Sequence, residues 1–342
     1  MNKKNHSIIF CQSPANIVAV LNCYENELKE NRNIIIIIRN VQNLKKFIDI
    51  LNLNAEIIYI DDSFSLFKEF FQIKKIIKQK LKEFAPINNK CTNVFFTDIC
   101  DDPLIGLYLK HLNKCKILWI KGPQIIGQLT NEDLSNGFAQ KNLPSKYKLK
   151  EIILFFLYGY SYKFIQREHW AITINIFKYK YPMIDYSDIS VVERFKMNVV
   201  DKKTKNVLFF TEPYRNKFQT EENYNKLNTI IINELHKAGY KIAIKGHPRI
   251  GCQKDTLKLA DIEIPSFIPS EFLNYNQFKF AIGFVSTALC FSSQYIKSFS
   301  ILPICEIIDR KEADYWFKYL SNYPNSKVIF LNALKDISNY IA

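Results

Sequence analysis

Lys245-Gly246-His247-Pro248 is the stretch whose residue types point most directly to chemistry. The apolar run Ile242-Ala243-Ile244 before it is long enough for a buried strand, and Gly246 and Pro248 break that run. An ammonium and an imidazole therefore leave a strand end together, at the edge where open α/β sheets bind ligands. Lys245 would act as a point charge and His247 as a hydrogen-bond donor, a pairing suited to an anion. A second short apolar run, Ala281-Ile282-Gly283, ends in Ser286-Thr287. A hydroxyl pair opening a helix suits phosphate, because free N–H groups and the positive dipole end face the ligand. The plainer reading is that Ser286 or Thr287 is an N-cap, and the two roles are compatible.

Strands must deliver these groups, and the sequence supplies them. Ser7–Phe10, Ile34–Ile38, Glu56–Ile60, Asn93–Thr97 and Lys116–Ile120 read as strands, with helical periodicity between them. Ser13 and Pro14 read as the start of the first intervening helix. Such alternation predicts a doubly wound parallel sheet. The pattern restarts at Asn206–Phe210, after a polar stretch over 191–205. The next helix has Thr220 as its cap, Glu221 and Glu222 in its first turn, and Leu227, Ile230, Ile231, Leu235 and Ala238 as its expected apolar stripe. The expected fold is thus α/β, two Rossmann-like domains over 1–195 and 196–342 facing a central cleft. No dinucleotide G-x-G-x-x-G or Walker loop is present.

Taken in order, K-G-H-P at Lys245, I-P-x-E at Ile268–Glu271 and G-x-x-S-T at Gly283–Thr287 resemble the bacterial sialyltransferases of the GT-B type. The likeness is to the lipooligosaccharide sialyltransferase and capsular polysialyltransferase group, whose N-terminal "SP" segment is similar to FCQSPANIVAVLNCYE here. The resemblance implies an inverting glycosyltransferase that moves sialic acid from CMP-sialic acid to a surface glycan. It places His247 on the CMP phosphate, Lys245 near the nucleotide, Gly246 and Pro248 in the same donor-binding stretch, Glu271 on the ribose, and Ser286 and Thr287 on phosphate. The N-terminal domain would take the acceptor and the C-terminal domain the donor. Transfer of another CMP-linked acidic sugar (Kdo, legionaminic or pseudaminic acid) is the same-class alternative. A catalytically inactive nucleotide- or glycan-binding relative is the alternative from a different class.

One family feature departs. Two acids and a glycine are expected after an N-domain strand, and Trp119-Ile120-Lys121-Gly122 has the glycine without the acids. Inverting transfer needs a carboxylate to take the acceptor proton. Glu212 and Asp98, each ending a strand, are the first candidates; Glu132 and Asp133 come next, and Asp101 and Asp102 read as helix N-terminal charges. No paired-Asp metal motif is present, so a metal-free reaction is expected.

The chain has 342 residues and a formal charge of +14, from 47 Lys and Arg against 33 Asp and Glu. That balance favours an anionic partner, but no nucleic-acid motif accompanies it. The eight cysteines form no C-x-x-C pair and read as buried thiols of a reducing compartment. Apolar runs are too short for a signal peptide or a spanning helix, so a cytoplasmic protein is expected. Lys146–Gln166 is both basic and aromatic. It reads as a helix packed on its domain, or as a patch meeting the anionic inner membrane or a lipid-linked glycan.

Overall fold

The computed structural model describes residues 6–11, 14–39, 41–60, 91–97, 115–121, 160–167, 170–177, 182–201, 205–214, 218–248, 250–323 and 325–336. The chain divides into two compact units, Met1–Val191 and Val192–Ala342. Strands are numbered below in chain order.

The first unit holds β1 (His6–Cys11), β2 (Asn33–Arg39), β3 (Glu56–Ile60), β4 (Cys91–Thr97), β5 (Lys116–Lys121) and β8 (Met183–Asp185) in one sheet, ordered β3-β2-β1-β4-β5-β8. Every pairing is parallel. Ile34–Ile38 are all buried, as a strand covered on both faces requires. The regular helix after β1 runs Ile17–Lys29 and follows a 3₁₀ turn at Pro14–Asn16, so it starts one turn later than expected. Ser13, its expected cap, lies outside the described residues.

Between β5 and β8 stands an antiparallel hairpin, β6 (Tyr160–Arg167) and β7 (Trp170–Phe177), in register from Tyr160 opposite Phe177 to Arg167 opposite Trp170. This corrects the expected helix over its last residues, 160–166; the rest of that stretch lies outside the described residues. Tyr160, Tyr162 and Phe164 recur at period two, and the facing strand is rich in β-branched Ile172, Thr173, Ile174 and Ile176. The apolar run just before them hid that alternation.

The second unit repeats the topology. β9 (Asn206–Phe210), β10 (Lys241–Lys245), β11 (Ile262–Ile264), β12 (Phe280–Gly283), β13 (Ser298–Ser300) and β14 (Ile329–Phe330) pair in parallel in the order β11-β10-β9-β12-β13-β14. Counting only the strands of each six-stranded sheet, both read 3-2-1-4-5-6, the Rossmann order. Two Rossmann-like units in one chain are the expected GT-B-like α/β class. The switch point of the second sheet lies between β9 and β12, its first and fourth strands.

The helix Glu221–Lys237 packs on this sheet. Its expected cap is observed, Thr220 Oγ1 accepting from the Asn223 amide at 3.2 Å. Gly239, at φ +79°, turns the chain out of it. Its buried face is Tyr224, Asn228, Ile231, Ile232 and Leu235, whereas Ile230 is 41% exposed. The face is turned from the expected stripe because the polar Asn228 occupies one of its core positions. Among the described residues, no helix is long and apolar enough to cross a membrane.

Candidate functional site

Strand register brings the chemistry-bearing loops of the second unit to one edge. Phe210 pairs with both Lys245 and Gly283, and Lys245 pairs with Ile264. The last residues of β9, β10, β11 and β12 are therefore level. The parallel sheet sends Thr211-Glu212, Gly246–Pro248, the segment from Pro265 and Phe284–Thr287 out of the same carboxyl end.

His247 sits in a small closed loop. Its amide donates to Gly251 O at 2.8 Å and its carbonyl accepts from the Gly251 amide at 2.8 Å. A Cβ on Gly246 would stand 2.8 Å from the Gly251 carbonyl carbon, so Gly246 is needed for close backbone approach. The angle-permissive residue of the loop is instead Gly251, at φ +75°. Pro248 turns the chain directly after the half-buried imidazole.

Lys245 lies beneath this loop rather than on it. It is 3% exposed, and its Nζ donates to Gly246 O at 2.8 Å and to Ser266 O at 3.3 Å. One ammonium thus ties the loop after β10 to the loop after β11. Burial pulls its pKa down to about 8, and the Glu271 carboxylate opposes that shift.

Glu271 lies on the 3₁₀ turn Ser270–Phe272, partly buried, with Ser270 Oγ donating to its Oε2 at 3.2 Å. Burial pushes its carboxyl pKa up, against the Ser270 bond and the Lys245 charge. Its segment is fixed from behind. The Met197 amide donates to Phe272 O at 2.7 Å, and the Asn274 amide donates to Met197 O at 3.0 Å. The buried Gln277 amide continues this pairing, accepting from the Val199 amide at 2.8 Å and donating to Val200 O at 2.6 Å.

Ser286 caps the short helix Thr287–Ser292, its Oγ accepting from the Ala288 amide at 3.2 Å, and Thr287 opens that helix. Ahead of them, a Cβ on Gly283 would meet Phe210 O at 2.9 Å, so only glycine lets β12 lie this close to β9. Across the switch point, Glu212 is partly buried, and its main chain is held by the Tyr224 hydroxyl.

Lys245, Gly246, His247, Pro248, Glu271, Ser286, Thr287 and Glu212 thus share one sheet edge. Asp98, Asp101, Asp102, Glu132, Asp133 and Gly122 lie outside the described residues. β5 ends in Ile120-Lys121, with Ile120 buried. Sequence reading missed Gln277 and Tyr224, since both read as ordinary polar and core positions until strand order is known. Among the described residues, no group of three or more His, Cys, Asp or Glu is placed to hold a metal ion.

Comparison with known proteins adds a family. The profile of the family described as alpha-2,8-polysialyltransferase matches residues 125–302, just over half of the chain. The matched span contains Glu212, Lys245–Pro248, Glu271, Ser286 and Thr287. No match is found among curated proteins. Among solved structures, the chain is similar to a UDP-GlcNAc 2-epimerase from Methanocaldococcus jannaschii (13% identity, 98% of this chain and 90% of that one, TM-score 0.49). It is similar also to the calicheamicin glycosyltransferase CalG4 (8%, 99% and 89%, TM-score 0.48). A sialyltransferase from Photobacterium damsela is a further likeness (15%, 96% and 81%, TM-score 0.46).

Proposed function

This chain belongs to the alpha-2,8-polysialyltransferase family and transfers sialic acid, and we propose that the strand-end loops of its second unit hold the donor as CMP-sialic acid. The observation that carries this reading is the level register of β9 to β12, which brings His247 and the Ser286–Thr287 turn out at one edge of a switch point, with Glu271 close enough to Lys245 to act on its charge. His247 donates to the leaving CMP phosphate. Ser286 and Thr287 meet phosphate with their hydroxyls, at the positive end of the helix they open. Glu271 receives the ribose hydroxyls as hydrogen-bond donors to its carboxylate. Gly246 and Pro248 shape the loop, and Lys245 contributes positive charge from beneath it.

The reaction is direct inverting transfer to a glycan hydroxyl, with Glu212 or Asp98 as the base that takes its proton. His247, Lys245 and the helix end offset the charge of the leaving CMP, a task a divalent ion would otherwise perform. The acceptor is a cell-surface glycan of capsule or lipooligosaccharide type. The enzyme works in the cytoplasm, with its basic–aromatic segment at the anionic inner membrane when the glycan is lipid-linked.

The test is CMP release from CMP-sialic acid by purified protein, with and without acceptor and with EDTA. Acceptor-dependent release that survives EDTA is expected. Release that needs added magnesium would overturn the metal-free step, and faster turnover of CMP-Kdo would move the donor assignment. Glu212→Gln and Asp98→Asn are assayed separately. The base is the one whose amide variant loses about 10²–10⁴-fold in turnover while CMP affinity holds. Full activity in both would place the base elsewhere, with Glu132 and Asp133 next.

A further inference from the structure

We infer that Tyr224 is the positioning residue of this site, its hydroxyl fixing the main chain at Glu212 and its ring fixing the turn that leads to Ser286. The inference rests on the reading of Glu212 as the base. Tyr224 stands on the helix Glu221–Lys237, directly behind the switch point, and is 1% exposed. Its Oη donates to Glu212 O at 2.8 Å. The same oxygen lies 3.0 Å from Thr211 Oγ1 and 3.4 Å from the Glu212 amide nitrogen. A phenol has one proton to give, so the remaining contacts are ones it accepts. One oxygen thus holds both the amide and the carbonyl of residue 212, and that leaves the Glu212 main chain little freedom to turn. Burial raises the phenol's pKa, so it stays a donor at neutral and moderately alkaline pH.

The ring does separate work. It packs on Phe284 with centroids 4.6 Å apart and planes at 34°, and on Tyr214 at 5.8 Å. Phe284 follows Gly283, the residue that lies against Phe210 O, and precedes the Ser286 cap by two positions. The loops after β9 and β12 therefore meet on one side chain, by hydrogen bonds on one side and by aromatic contact on the other. An ordinary core tyrosine needs one partner for its hydroxyl; this one spans the two loops on either side of the switch point.

The two functions can be separated. Tyr224→Phe keeps the ring and removes the hydroxyl. We expect kcat to fall by about 10- to 100-fold, as for a misplaced catalytic group, with CMP affinity within about twofold of wild type. In a Glu212→Gln background the same change should cost little more, because both act on one group. Tyr224→Leu removes the ring and should weaken CMP binding as well. Wild-type kcat in Tyr224→Phe would overturn the inference. So would equal losses of kcat and CMP affinity, or an undiminished penalty in the Glu212→Gln background. Full turnover in Glu212→Gln alone would instead remove the base assignment, and a lowered kcat in Tyr224→Phe would then show that the tyrosine does not act through it. If Tyr224→Phe does not fold, Thr211→Val loosens the same hydroxyl and should give a smaller loss of kcat at unchanged CMP affinity; no loss there overturns the inference.

Discussion

Each unit buries an ion among polar groups, and the two are compensated differently. In the first unit Glu27 is 5% exposed, near the amino ends of the strands. Arg32 donates to it at 2.7 Å and Asn93 at 3.3 Å, and Ser7 donates through its hydroxyl. Ser7 and Asn93 are register partners on β1 and β4. This is a buried carboxylate with an opposite charge and hydrogen bonds around it, the arrangement burial demands of a structural ion. In the second unit Lys245 is equally buried, but at the carboxyl edge, and it is met by the carbonyls of two loops. Carbonyl dipoles replace hydration only in part, so its pKa falls to about 8. The two sheets share one topology, yet among the described residues an undercompensated cation lies under loops rich in polar groups at the second edge only.

Four changes sharpen or break this contrast. The largest effect is expected of His247→Ala, which removes the donor above the Lys245 brace and should lower turnover by about 10²-fold or more. An undiminished rate would take His247 out of the mechanism. Lys245→Met comes next. A brace beneath two loops supports the nucleoside as well as the phosphate, so affinities for CMP and for cytidine should both fall, by about tenfold. Loss confined to CMP would make Lys245 a direct phosphate ligand instead.

Third is pH. The folded pKa of Lys245, about 8, lies below the usual lysine value of about 10.4. Between those values the unfolded chain holds the proton and the folded chain does not, so this group's contribution to stability rises with pH there. Over the same window the loops lose their charged brace, so kcat/KM should fall as pH passes about 8. Lys245→Met should flatten both trends, and a wild-type alkaline limb in that variant would contradict the assignment. The smallest effect is expected of Glu27→Gln. It should lower stability by about 2 kcal/mol in urea unfolding, since Arg32 loses its buried carboxylate partner, while kcat per folded molecule is unchanged. A changed kcat there would erase the contrast between the two ions.

Much of this was legible in residue order. The apolar runs Ile34–Ile38 and Asn206–Phe210 are strands because uninterrupted apolar segments suit sheets covered on both faces. Thr220 is a cap because a hydroxyl precedes two acids and an apolar period. The candidate site residues were legible because glycine, proline and polar groups follow the apolar runs Ile242–Ile244 and Ala281–Gly283. What was not legible depended on long-range placement. Tyr224 and Asn228 lie on the buried helix face, but Asn228 interrupts the apolar pattern that would have marked it. The hairpin Tyr160–Phe177 was hidden because period two was blurred by apolar residues before it. The depth of Lys245, 3% exposed beneath its loop, was not legible either, because sequence shows charge and not depth.

The measurement that tests the central claim most directly is calorimetric titration of CMP into wild type, Ser286→Ala/Thr287→Ala and Glu27→Gln proteins. Saturable binding is expected in wild type and Glu27→Gln alike, with affinity lower by about tenfold or more in the folded double variant. Equal CMP affinity in all three proteins would contradict a donor site at the carboxyl edge of the second sheet.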